Sequence, residues 1–159
     1  MTLPQLIKRS LFIIMAITAL NACGDDSYGT TDYSTVPAPY DTTASALITS
    51  YIDPDLKYYV IEEGESEDSV TIRDQIYLHY TGRRTNGEIF DSSYKNGNLT
   101  PYSSTITGFV DGFTEGLLGM KEGEKRVLII PPKLGYGNSE GFYLQNDTLI
   151  FDVYLVEIY

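Results

Sequence analysis

Apolar spacing divides the chain into three textures. The first is an apolar run over residues 11–20, preceded by Lys8 and Arg9. It is too short to cross a hydrocarbon core, which takes about 20 residues, but it suits the apolar segment of an export signal. Residues 24–43 follow, built from Gly, Asp, Ser, Thr, Tyr and Pro with no apolar period. Such a composition buries no core and predicts a flexible tether. Over 44–52 the residues turn to Ala, Leu, Ile and Tyr. Asp41, Thr42 or Thr43 offers an N-cap and Asp53-Pro54 a stop, so a short helical lead-in is expected over 44–55.

From Leu56 the texture is that of strands. Residues 57–61 form a short apolar and aromatic run closed by Glu62-Glu63-Gly64, and 70–72 form another. Residues 75–81 alternate, with Ile76, Leu78 and Tyr80 on one face and Tyr77 and His79 on the other. Asn86-Gly87 predicts a two-residue type I′ hairpin, after which residues 89–91 restart a strand. Asn96-Gly97-Asn98 and Pro101 mark a loop. Phe109, Phe113 and Leu117 recur at helical spacing, but glycines at 108, 112, 116 and 119 make this a poor isolated helix that tertiary packing must hold. Residues 124–130 read as a strand ended by Pro131-Pro132. A long loop opens at Gly135-Tyr136-Gly137, and 148–159 is a last strand with Leu149, Phe151, Val153 and Leu155 on one side. The fold class is α+β, an antiparallel half-wrapped sheet around one short helix.

Charge removes several function classes. The formal net charge is -11, with no basic stripe, which argues against nucleic acid and against adsorption on anionic lipid by charge alone. His79, the only histidine, has no second His or free Cys nearby in sequence, so it is read as neither ligand nor base, and neither a metal nor a cofactor is expected. Cys23 is the only cysteine, so no internal disulfide forms. It follows Leu20-Asn21-Ala22 and precedes Gly24-Asp25-Asp26, an order that resembles the lipobox of bacterial lipoprotein precursors. The resemblance implies cleavage of a signal peptide over 1–22, lipidation of Cys23, a tether over 23–43, and a membrane contact made through that anchor in the cell envelope. An outer membrane, with the protein facing the periplasm or the cell surface, is the location expected.

Four segments, in this order, resemble the FKBP family of peptidyl-prolyl cis/trans isomerases: His79-Tyr80-Thr81-Gly82, residues 87–93, residues 116–124, and 131–137 with 148–153. Together they are spread over roughly residues 56–159, the expected isomerase domain. The resemblance implies an apolar pocket for a prolyl ring between sheet and helix. Its aromatics fall on Tyr80, Phe90, Tyr136 and Phe151, and its carboxylate on Asp91. Phe109 and Val110 lead into the helix, Phe113 is the floor, Tyr102 the loop aromatic, and Phe142 and Tyr143 the lip. Tyr80, Asp91 and Tyr136 carry the catalytic roles that the resemblance implies, and the others bind substrate. From spacing alone, Phe90, Phe113 and Phe151 read as core, and only their joint occurrence in the family order overturns that.

Two departures bear on function. The family's floor is usually Trp, whereas this chain has no Trp and places Phe113 there. The lip lacks the customary proline pair and has Leu144-Gln145 instead. The expected activity is prolyl isomerisation of exported, proline-containing polypeptides. The alternative is a groove that binds proline segments, or acts as a chaperone, with little turnover. Oligomeric state is open at this level.

Overall fold

The alternation over residues 75–81 becomes one long strand on which the rest of the sheet is ordered. A computed structural model describes residues 30–159; the expected signal peptide, Cys23 and the start of the tether lie outside the described residues. The elements are β1 (Leu47–Thr49), β2 (Lys57–Glu62), β3 (Gln75–Arg84), β4 (Ile89–Ser92), β5 (Tyr102–Thr105), α1 (Asp111–Leu117), β6 (Lys125–Ile130) and β7 (Leu149–Ile158). All strand pairs are antiparallel, in the order β1-β2-β6-β7-β3-β4. β5 also pairs with β3, so that the early half of β3 meets β5 and its late half meets β4.

The apolar face of that sheet closes on α1. Ile76 and Leu78 of β3, Leu128 and Ile130 of β6 and Leu149, Val153 and Leu155 of β7 are buried together with Phe113 and Leu117 of α1. Each such side chain removed from water contributes about 1.5–3 kcal/mol, which is what holds a seven-residue helix too short and too glycine-rich to persist alone. Gly116 is required by this packing: a Cβ there would stand 2.7 Å from the Leu128 side chain. The end of the helix is tied to the sheet by Arg126, whose Nη1 donates to the Gly116 carbonyl at 2.9 Å and whose Nε pairs with Glu124 at 2.5 Å. Glu124 in turn accepts the Lys121 N–H at 2.9 Å, so neither buried charge is left unpaired.

The N-terminal expectations are corrected in two places. The lead-in read as a helix over 44–55 contains the strand β1, which pairs Leu47, Ile48 and Thr49 with Tyr59, Tyr58 and Lys57. Ser50 and the Asp53 N–H both donate to Glu115 of α1, the latter at 2.9 Å, which anchors the segment to the helix. A free β2 edge offered backbone partners that outweighed a weak local helical preference. From residue 31 onward the segment read as tether is not loose. It lies against the domain, and one compact unit runs from Thr31 to Tyr159. Its contacts are backbone and hydroxyl bonds, which leave no apolar period to read.

Smaller differences lie in the loops. Residues 70–72 make no strand; Ser69 forms a single bridge to Lys121, and the Val70 N–H donates to the Met120 carbonyl at 2.8 Å. The hairpin after β3 is present, but Gly87 and not Asn86 takes the left-handed conformation, at φ 88°. The Gly87 N–H closes on the Arg84 carbonyl and the Arg84 N–H on that of Glu88, both at 2.9 Å. The loop is therefore the three-residue kind, with glycine at its bulge. β5 was not anticipated; Tyr-Ser-Ser-Thr carries no apolar alternation.

Candidate functional site

Tyr80 stands where the partners of β3 change from β5 to β4. At that gap its own backbone is held by the next turn: its N–H donates to Ser93 Oγ at 3.0 Å, and its carbonyl accepts the Ser93 N–H at 3.0 Å and Ser92 Oγ at 3.0 Å. β3 runs on past the split in its edge, and the Tyr80 ring lines the cavity. Its ring meets Phe113 edge-on at 6.1 Å between centroids, and Phe113 meets Phe151 edge-on at 4.8 Å. Phe90 crosses Phe151 at 5.4 Å, and Phe109 lies over Phe113 at 4.6 Å. The edge-to-face contacts of Phe113 with Tyr80 and Phe151, and of Phe90 with Phe151, are a favoured aromatic geometry.

They line a cavity of about 570 Å³ between the sheet and α1. Phe113, 2% exposed, forms its floor, and Phe151 is buried beside it. Val110, at the N-cap of α1, and Tyr102, at the start of β5, complete the near wall. The far wall is the loop after β6. There Tyr136 packs on Phe142 at 4.6 Å and Phe142 on Tyr143 at 4.8 Å. The Arg84 guanidinium lies 5.4 Å from the Tyr143 ring and donates to the Tyr143 carbonyl at 3.1 Å, which ties this lip to the β3–β4 hairpin. All eleven described residues expected at the pocket thus surround one cavity. Leu144, which replaces a customary lip proline, is buried behind it.

One polar corner interrupts the apolar lining. Tyr80 donates its hydroxyl to Asp91 Oδ2 at 2.6 Å, and Lys95 donates to Asp91 Oδ1 at 2.7 Å. The Ser92 N–H adds a third bond at 2.9 Å. Burial resists ionisation of Asp91, but the bonds from Lys95 and Tyr80 outweigh it and hold the carboxyl below its usual range. Burial, with the Asp91 bond adding to it, pushes the Tyr80 phenol up, so it remains a neutral donor. Burial and then the Asp91 charge also raise Tyr136, whose hydroxyl makes no hydrogen bond among the described residues. The cavity therefore offers one committed carboxylate and, in Tyr136, a phenol free to bond a ligand.

Lys95 was missed by sequence reasoning. Its spacing of four from Asp91 is an ordinary ion-pair spacing, but in a loop that spacing alone carries no contact. His79 sits on the other face of the sheet, stacked on Tyr94 at 4.5 Å with Nδ1 3.2 Å from Ser93 Oγ. Burial lowers its pKa, and it is away from the cavity. Among the described residues there is no group of three or more His, Cys, Asp or Glu placed to hold a metal, and no helix long and apolar enough to cross a membrane.

A half-wrapped antiparallel sheet, one short helix and an aromatic cavity between them define the class: residues 66–156 match FKBP-type peptidyl-prolyl cis-trans isomerase, and the chain belongs to that family. Among its relatives is the peptidyl-prolyl cis-trans isomerase Mip of Chlamydia muridarum, 43% identical over 102 residues, or 64% of this chain and 40% of that protein. FK506-binding protein 1A of Neurospora crassa is 41% identical over 105 residues, covering 65% of this chain and 88% of that protein. The crystal structure of FkpA from Escherichia coli superposes with a TM-score of 0.64 at 35% identity, over 74% of this chain and 53% of that one. The chain thus spans about 40% of the length of the Mip relatives it matches.

Proposed function

We propose that this protein is a cofactor-free peptidyl-prolyl cis/trans isomerase that assists folding of exported polypeptides. The observation that carries the reading is the aromatic cavity with its single polar corner, the Tyr80–Asp91 pair at 2.6 Å. Rotation about an X-Pro amide crosses a barrier of about 18–20 kcal/mol because the planar amide is resonance-stabilised and dipolar. The twisted transition state has lost that resonance and is less polar. A dry aromatic site therefore favours it over the planar ground state, with no nucleophile, base or metal.

In this reading the prolyl ring sits on Phe113 between Phe90, Tyr80 and Phe151. The Tyr136 hydroxyl and the Val110 N–H hold the substrate carbonyl. Asp91, kept charged by Lys95 and Tyr80, polarises the opposite side of the amide. Phe142 and Tyr143 take the flanking residues. Uncatalysed isomerisation takes tens of seconds, long enough to limit folding after export. The test is a protease-free isomerisation assay on the chain after Cys23 with several X-Pro peptides. Catalysis that falls in Asp91→Asn and Tyr80→Phe supports the reading, and a rate equal to the uncatalysed one overturns it.

A second reading, binding without turnover, is favoured by one feature: Phe113 stands where the family usually has Trp. Peptide binding with no rate enhancement would select it. The setting we propose is the cell envelope, with Cys23 lipidated as the membrane anchor. The order Leu20-Asn21-Ala22-Cys23 supports this, and a Cys23→Ser protein that still took up labelled fatty acid would contradict it.

A further inference from the structure

The strand that carries Phe90 and Asp91 is a short edge strand of the sheet. β4 is four residues long, lies at the edge, and pairs only with β3, through a register that shifts between Gly82 and Arg83. An edge strand of that length with one-sided pairing opens readily. Its free side is nevertheless occupied, by the chain itself. Tyr33 donates its hydroxyl to the Phe90 carbonyl at 3.0 Å. The Asp32 N–H donates to Asn96 Oδ1 at 2.8 Å, and the Asp32 carbonyl accepts the Asn96 N–H at 2.7 Å. Thr35 Oγ1 donates to the Tyr94 carbonyl at 3.3 Å. Farther along, the Pro37 carbonyl accepts from Arg83 Nη2 at 2.9 Å, so the segment is pinned to β3 as well.

These bonds fall on both neighbours of Lys95. Tyr94 and Asn96 are each tied to the strap, and Lys95 between them reaches Asp91. Asn96 is also the one non-glycine residue with a left-handed backbone among the described residues, at φ 58°. That turn conformation is unfavourable for a residue with a side chain, though Asn tolerates it best, and the paired bonds with Asp32 hold it in place. We propose that residues 31–37 are a positioning strap for the isomerase site, with Tyr33 and Asp32 holding β4 and the following turn so that Lys95 stays on Asp91. No residue of the strap lines the cavity, so Tyr33 is a positioning residue. The proposal rests on the isomerase reading for its functional meaning, while its geometry stands without it.

The test uses the chain after Cys23 and two variants, Tyr33→Phe and Asn96→Gly. The first removes only the hydroxyl that bonds Phe90. The second keeps the left-handed backbone, which glycine adopts freely, and removes the side chain that carries the Oδ1 acceptor. Two readouts are independent of turnover: amide exchange over residues 89–96, and the titration of the Asp91 carboxyl followed by NMR. The charged or titratable groups facing Asp91 are Tyr80 of β3, Lys95 of the turn, Tyr33 of the strap and Tyr136 of the far wall. The phenols are neutral in the acid range, so Lys95 is the one positive charge that the strap places there. Each variant is expected to speed exchange over 89–96 about fivefold to tenfold and to raise the Asp91 midpoint toward that of Lys95→Met. Unchanged exchange and midpoint in both variants, with or without a lower melting temperature, would overturn the strap. Should the parent chain show no catalysis, the isomerase reading fails while these two readouts still decide the strap.

Discussion

Tyr80 on β3 and Asp91 on β4 share a 2.6 Å hydrogen bond across the split edge of the sheet, directly beside the aromatic floor. The bond joins the only carboxylate at the cavity among the described residues to a phenol that burial keeps protonated. In Tyr80→Phe that donor is lost, and kcat/KM is expected to fall about tenfold to 150-fold, in line with roughly 1.5–3 kcal/mol for a bond to a charged group. Steady-state isomerisation kinetics check it, with Tyr77→Phe, on the opposite face, as the unaffected comparison.

The same pair sets a pH dependence. Asp91 ionises below the ordinary carboxyl range in the folded protein. The unfolded chain therefore binds its proton more readily, and the stability that this group contributes is complete above the ordinary range. It is lost as the pH falls through the lowered native value. Lys95→Met is expected to shrink that acid-linked loss. Urea midpoints measured from neutral pH down into the acid range for both proteins would show two curves converging at the acid end.

Phe113→Trp tests the floor. The benzyl ring is enclosed by Tyr80, Phe109 and Phe151, with the cavity on its remaining side. An indole there adds apolar surface toward the substrate. A gain equal to one methylene, about 0.8 kcal/mol, would lower KM for a prolyl peptide about fourfold. An unchanged KM with a lower melting temperature would mean that the indole overpacks the core instead.

Gly82→Ala should damage the site and the fold together. A Cβ at Gly82 would stand 2.6 Å from both the Phe90 and the Phe151 rings. Those rings have to move, at a cost of about 1–3 kcal/mol for overpacking. Since both line the cavity, peptide affinity should drop more than in a surface variant of equal stability. Thermal unfolding and peptide titration, side by side, separate the two losses.

On the outer face of the sheet, Arg83 pairs with Asp152 while the strap covers them. Burial raises the Asp152 carboxyl and Arg83 opposes that rise. Arg83→Met leaves a buried carboxylate without its cation, a change that costs about 3–5 kcal/mol. Denaturant unfolding near neutral pH should show it, and lowering the pH, which protonates Asp152, should recover part of the loss.

Different kinds of signal account for what could be read along the chain. The faces of β3 and β7 were legible because their side chains alternate between core and solvent: Ile76 and Leu78, then Leu149, Phe151, Val153 and Leu155. The pocket residues were legible only through the joint order of four segments, since Phe90 or Phe151 alone reads as core. β1 and β5 were missed because neither carries an apolar alternation, and both are strands because a neighbouring edge needed partners. Lys95 was missed because its bond to Asp91 depends on the path of a loop.

By itself the sequence determined the sheet's inner face, the single helix, the family and the aromatic cavity, because these follow from apolar periodicity and from short motifs whose order survives without coordinates. Only the tertiary structure decided that residues 31–37 are a strap and not a tether, that β4 is a supported edge, and that Asp91 is held by Lys95 as well as Tyr80. Those features rest on single hydrogen bonds between residues up to 64 positions apart. Such bonds have no period and no composition of their own, so they come into being only when folding brings the two partners to the same place.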